Sequence, residues 1–175
     1  MTPSFEDVFR EHAPFVWRAL RRLGVSEADA DDVCQEVFVV VHRKLPEFEG
    51  RSTLRTWIYG ICVRTASSHR RLARHKEIAV DELPEAEATD GPHEQATRKQ
   101  ALRALDRALD ELDEDKRAVF VLYEVEELTM AEVAEVVGCP LQTAYSRLHA
   151  ARDRVQKALA SRGSPPGGIA IGATR

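Results

Sequence analysis

Apolar residues recur at helical spacing through most of the chain. From Ser4 to Leu23, the positions Phe5, Val8, Phe9, His12, Phe15, Val16, Ala19 and Leu20 form one stripe, which predicts a first helix. Ser4 followed by Asp7 has the form of a capping box, and Gly24 marks the end. Pro14 falls inside this span and is expected to kink or divide the helix. Ser26 and Asp29 open a second helix that runs to about Leu45, with Ala30, Val33, Cys34, Val37, Phe38 and Val41 along one side; Pro46 stops it. Ser52 to Lys76 reads as a third helix with Leu54, Ile58, Ile61, Thr65 and Leu72 in its apolar stripe. The period then breaks. Residues 77–94 hold seven acids and no Lys or Arg, with Pro84, Gly91 and Pro92 interspersed, as in a flexible linker.

Helical spacing resumes near Glu94. Ala101, Leu102, Leu105, Leu109 and Leu112 mark one helix, and Asp113-Glu114-Asp115 begins the next. Thr129-Met130-Ala131-Glu132 spells a capping box, with Met130, Val133, Ala134 and Val137 following at i, i+3, i+4 and i+7. Gly138 is placed to end that helix in a left-handed conformation, and Pro140 suits the start of another. Leu141, Ala144, Leu148, Ala151, Val155 and Leu159 form the apolar stripe of this last helix. A helix, a short Gly turn and a helix make a helix-turn-helix, whose second helix enters a DNA major groove. From Ser161 no period remains. The expected fold is all-α: a helical domain over 1–76, a linker over 77–94, a helix-turn-helix domain over 95–160 and a disordered tail over 161–175.

Charge sharpens this outline. The formal net charge is −4, yet Ser52–Lys76 contains no acid. Trp57, Arg64, Ser68, Arg71 and His75 share a stripe of that helix, with Arg70 and Arg74 near its edge. Such a face suits phosphates, and Trp57 offers a ring on which a base stacks. The alternative is a solvated basic face with Trp57 in the core. The second helix carries Asp29, Asp31, Asp32, Gln35 and Glu36 on its polar side. These acids suit a helix N-terminus, and equally an acidic docking face for a basic partner. On the last helix, Gln142, Thr143, Ser146, Ala150 and Lys157 lie opposite the apolar stripe, flanked by Tyr145, His149 and Arg147. Gln, Ser and Thr bond base edges, while Arg and Lys hold phosphates.

The remaining features exclude functions. Cys34, Cys62 and Cys139 lack metal-ligand spacing and read as buried free thiols. No HExxH pattern or Gly-rich phosphate loop occurs, and Glu36 with His42, six residues apart on one helix, makes a poor acid–base pair. No enzyme activity, metal or cofactor is expected. The N-terminus lacks a signal pattern and the apolar runs are too short to span a bilayer, which predicts a cytoplasmic protein without membrane insertion.

Three segments, in order, resemble bacterial sigma factors of the extracytoplasmic-function group. They are ADADDVCQEVFVVVHRKLPEF, TLRTWIYGICVRTASSHRR and the stretch from LDELDEDKR through LQTAYSRLHAARDRV. The resemblance covers roughly 5–74 and 105–159. It implies a sigma-2-like and a sigma-4-like domain, and a protein that directs core RNA polymerase to promoters and assists DNA melting. It further implies that Asp29, Asp32, Gln35 and Glu36 meet the β′ clamp helices. Trp57, Arg64, Ser68, Arg70, Arg71 and Arg74 would serve the −10 element, and Gln142, Thr143, Tyr145, Ser146, Arg147, His149 and Arg152 the −35 element. Core polymerase (β′ and β subunits), promoter DNA and an anti-sigma factor are the implied partners. Arg64, Ser68, Gln142, Tyr145 and Ala150 depart from residues common in the family, which bears on promoter sequence more than on function. The alternative is a helix-turn-helix regulator without sigma activity; dependence on core polymerase separates the two.

Overall fold

The computed structural model describes the backbone of residues 3–77 and 93–160. Most of the expected linker and all of the expected tail lie outside the described residues. Among those described there is no strand. Helix α1 (Phe5–Arg22) begins at Ser4, whose Oγ accepts the Asp7 N–H at 3.2 Å and donates to the Asp7 carboxylate at 2.8 Å. Pro14 neither divides nor ends α1. Proline removes one helical hydrogen bond, but Pro14 is exposed, so water can serve the freed carbonyl. Phe15, Val16, Ala19 and Leu20 are buried directly after it and anchor the continuing half. Gly24 turns the chain at φ +91°.

Helix α2 (Glu27–Lys44) repeats the cap with Ser26 and Asp29, and Pro46 follows in a 3-10 turn, Leu45–Glu47. Helix α3 (Leu54–Glu77) starts after Thr53, whose Oγ1 accepts the Thr56 N–H at 3.1 Å. The three helices pack mutually around Val16, Leu20, Val33, Val37, Ile58 and Tyr59. Burying side chains of this size contributes about 1.5–3 kcal/mol each, which outweighs the weak propensity of the β-branched residues among them. Trp17 in α1 donates its Nε1–H to Asp31 at 2.9 Å, and Trp57 in α3 packs on Phe48 at 5.2 Å between ring centroids. The apolar stripe of α3 is shorter than its sequence suggests. Ile58 and Ile61 are buried, but Leu72 is 64% exposed, because the last turns pass beyond the bundle.

The second module contains α4 (His93–Asp110), α5 (Glu114–Phe120), α6 (Met130–Val137) and α7 (Leu141–Ala160). A π turn, Val121–Val125, extends α5 and leads into Glu127 at φ +57°. Asp113 caps α5 and pairs with Lys116. Arg117, an arginine inside the core, donates to the Leu109 carbonyl at 2.8 Å and to Asp110 at 2.5 Å. The Thr129–Glu132 capping box is complete, and Gly138 adopts φ +67°, ψ +42° as its position demands. Leu141 departs from the expected buried stripe and is 48% exposed, since it sits on the first turn of α7 ahead of the packed residues Ala144, Leu148, Ala151 and Val155. The thiols also differ from expectation: Cys62 is buried, whereas Cys34 and Cys139 are half-buried. Burial raises the thiols of Cys34 and Cys62, so both are held as inert thiols rather than thiolates.

Candidate nucleic-acid interface

The basic stripe of α3 forms as spaced. Arg64, Ser68 and Arg71 are exposed on one side of the helix, and Gly60 leaves room beside the Arg64 guanidinium. Trp57 begins the same stripe but is half-buried, its ring backed by Phe48. That arrangement combines the two readings of Trp57: one part belongs to the core, the other remains accessible. Arg70 is drawn aside, donating to the Leu23 carbonyl at 3.2 Å and lying 3.9 Å from Glu114. The side chains of Arg74 and His75 lie outside the described residues.

On α7, Gln142, Tyr145, Ser146 and His149 are exposed and Thr143 is half-buried. Ser146 Oγ donates to the Gln142 carbonyl at 3.0 Å, so its hydroxyl remains able to accept from a ligand. Arginines on this helix are held in place by acids of the same module. Arg147 pairs with Asp115 at 2.6 Å, Arg152 with Glu124 at 2.5 Å, and His149 lies 3.7 Å from Asp153. Leu141 stands exposed at the tip of the helix beside Gln142. Sequence periodicity alone assigned it to the core; its place directly after Pro140 was the available signal.

On α2 the structure brings Asp32, Gln35 and Glu36 together as an exposed patch. Asp29 begins the same stripe but serves its own helix: Ser26 Oγ donates to it at 2.6 Å and His69 lies 3.8 Å away. Val39, 50% exposed, continues the patch one turn past Glu36. Sequence reading passed over Val39, although its seven-residue spacing from Asp32 placed it there.

Among the described residues no helix is long and apolar enough to cross a membrane, and no group of three or more metal-ligating side chains gathers. The chain is α-helical, with a basic, tryptophan-bearing helix in one module and a capped helix-turn-helix in the other. Comparison with known proteins agrees. Sigma-70 region 2 matches residues 8–76, and Sigma-70 region 4 matches residues 102–155. The RNA polymerase sigma-H factor of Pseudomonas aeruginosa is 33% identical over 75% of this chain and 73% of its own length. The RNA polymerase sigma factor YlaC of Bacillus subtilis is 30% identical over 88% of this chain and 91% of its own. The solved sigma factor RpoE of Bartonella quintana, in complex with the anti-sigma factor NepR, shares the fold with a TM-score of 0.69 at 22% identity, over 89% of this chain and 96% of that one. The chain belongs to the sigma-70 family, in its extracytoplasmic-function group, and is a promoter-directing sigma factor.

Proposed function

We propose a division of labour among three faces. The α2 patch of Asp32, Gln35, Glu36 and Val39, with Asp29 at its edge, docks on the β′ clamp helices of core RNA polymerase. The α3 stripe of Trp57, Arg64, Ser68 and Arg71, with Arg70 and Arg74 beside it, captures the opened −10 strand. The α7 face of Gln142, Thr143, Tyr145, Ser146, Arg147, His149 and Arg152 reads the −35 duplex. The domains divide as 1–76 and 95–160, the segment between them linking the two. The protein works in the cytoplasm, where polymerase is, and an anti-sigma factor restrains it. The RpoE–NepR complex supports that last point.

The observation that carries this reading is the pairing, in one chain, of an exposed Arg64–Ser68–Arg71 stripe next to an accessible tryptophan with a helix-turn-helix. A stacking ring beside phosphate-binding charge suits single-stranded DNA. In vitro transcription with purified core polymerase tests the whole reading, and transcription no better than core alone would end it. Arg64→Ala with Arg71→Ala tests the strand-capture part. Both side chains are exposed, so thermal stability stays within about 0.5 kcal/mol of wild type. The variant holoenzyme is expected to find the promoter duplex but not to hold it open. Permanganate reactivity of unpaired thymines measures this, and wild-type reactivity in the double variant would show the stripe to be merely solvated charge.

A further inference from the structure

Domains that bind duplex DNA are commonly basic, yet residues 95–160 hold twelve acids against ten Lys or Arg. Part of that acidity surrounds the recognition helix. α7 carries Arg147, Arg152, Arg154 and Lys157, and acids from three earlier parts of the module reach its arginines. Asp115, in the first turn of α5, takes Arg147 at 2.6 Å. Glu124, in the π turn, takes Arg152 at 2.5 Å. Glu111, directly after α4, lies 3.4 Å from Arg154. Arg152 is held a second time, its guanidinium 5.6 Å from the centre of the Tyr123 ring. Glu126, two residues past Glu124, pairs instead with Arg22 at 3.0 Å and Arg55 at 2.7 Å in the first module. Among the described residues, Lys157 is the one α7 cation of the four without an acid partner.

The placement of these pairs matters for DNA. Arg147 and Arg152 are five residues apart, about 140° around the helix, so they stand on opposite flanks of the face that presents Gln142, Ser146 and His149. The two flanks of a helix in the major groove are where the bordering phosphates lie. An arginine touching a carboxylate has almost no net charge beyond a few ångströms, so it adds little to the long-range attraction that drives non-specific binding. At short range the pair behaves differently. A guanidinium has five N–H donors, and each acid occupies one of those on Arg147 and Arg152, leaving the others for a phosphate brought to the right place. Base contacts by Gln142 and Ser146 bring it there only when the sequence fits.

We propose that Asp115 and Glu124 are specificity-determining positioning residues of the −35 face: by neutralising Arg147 and Arg152 on the two flanks of α7, they suppress attraction to DNA of any sequence while keeping both guanidiniums aimed for phosphates in the correct register. The proposal rests on the reading of α7 as the −35 helix.

The test uses the full chain and a fluorescein-labelled, random-sequence duplex of about 30 base pairs, with binding measured by anisotropy across a salt series. Wild type is compared with Asp115→Asn combined with Glu124→Gln, and with Glu127→Gln as a control. Glu127 is exposed and in no ion pair among the described residues, so its change alters net charge without releasing an arginine. The double variant is expected to bind the random duplex more tightly, with a salt slope steeper by about 0.9 for each arginine released. Lowering salt from about 200 to about 50 mM then strengthens its binding about tenfold more than it strengthens wild type. Duplexes selected by the variant holoenzyme from a library randomised at −35 are expected to show weaker base preferences. Loss of fold would lower affinity, so a gain with unchanged circular dichroism separates this role from a structural one. An unchanged slope, a slope steepened equally by Glu127→Gln, or base preferences as sharp as those of wild type would overturn the proposal. Failure of the wild-type holoenzyme to transcribe would strike the sigma-factor reading instead and leave the salt slopes standing.

Discussion

At the scale of single residues, Tyr59 shows what the meeting of the two modules costs. Its hydroxyl is fully buried beside Glu126 without completing a hydrogen bond. Burial raises this phenol above its ordinary value, the Glu126 carboxylate raises it further, and Arg22 opposes them. The native state therefore holds the neutral form more tightly than the unfolded chain does. That contribution to stability is complete below about pH 10 and is lost as pH rises past it. Tyr59→Phe removes an unpaired buried hydroxyl at constant shape, so at neutral pH it changes stability by less than about 1 kcal/mol, or improves it. Above pH 10 it loses stability less steeply than wild type. Urea unfolding at the two pH values checks both statements, and parallel losses would count against them. Tyr59 and Arg117 were both invisible to sequence reading, for different reasons. Tyr59 is buried beside Glu126, far along the chain, whereas Arg117 bonds Leu109 and Asp110 across the turn between α4 and α5, and neither residue interrupts an apolar period. Leu141 failed in the opposite sense: it keeps the period, but the helix starts before the core does.

At the scale of elements, local chemistry was legible wherever its partners lie within a few residues. Ser4, Ser26 and Thr129 all cap their helices, though only Thr129 completes the reciprocal box, and Gly138 takes the left-handed turn. Nothing lies within 4 Å of a Cβ placed on Gly138, so Gly138→Ala strains the backbone alone, by about 1–2 kcal/mol. Thr129→Ala removes the cap at a cost of about 1 kcal/mol. Thermal unfolding of the full chain is expected to show a lower midpoint for each, and an unchanged midpoint for Gly138→Ala would mean the turn tolerates a side chain. The continuous α1 and the π turn were not legible, because packing rather than propensity decides whether a helix runs through Pro14 or widens at Val121–Val125. The outer face of α2 was half legible: its acids stood out, while Val39 among them did not. Asp32→Arg with Glu36→Arg is expected to weaken association with core polymerase at physiological salt without loss of helical content. An unchanged affinity in a pull-down would remove this face from the docking surface.

At the scale of the molecule, the sequence separates two helical modules and leaves their mutual docking unstated. Charge patterning shows that α3 is basic and that the second module is rich in acids, but not that Glu126 lodges between Arg22 and Arg55. Such pairings join residues 71 and 104 positions apart, and no local period records them. One consequence follows from where the indoles fall. The chain has two tryptophans, Trp17 on α1 and Trp57 on α3, so both report from the first module and neither from the second. Tryptophan emission is therefore a one-sided witness to unfolding, whereas far-ultraviolet circular dichroism counts helix in both halves. With an apolar core continuous across the boundary, the two probes are expected to trace one coincident transition in the native chain. Once the halves are uncoupled, the curves should separate, and the gap between them would measure how much stability each half lends the other.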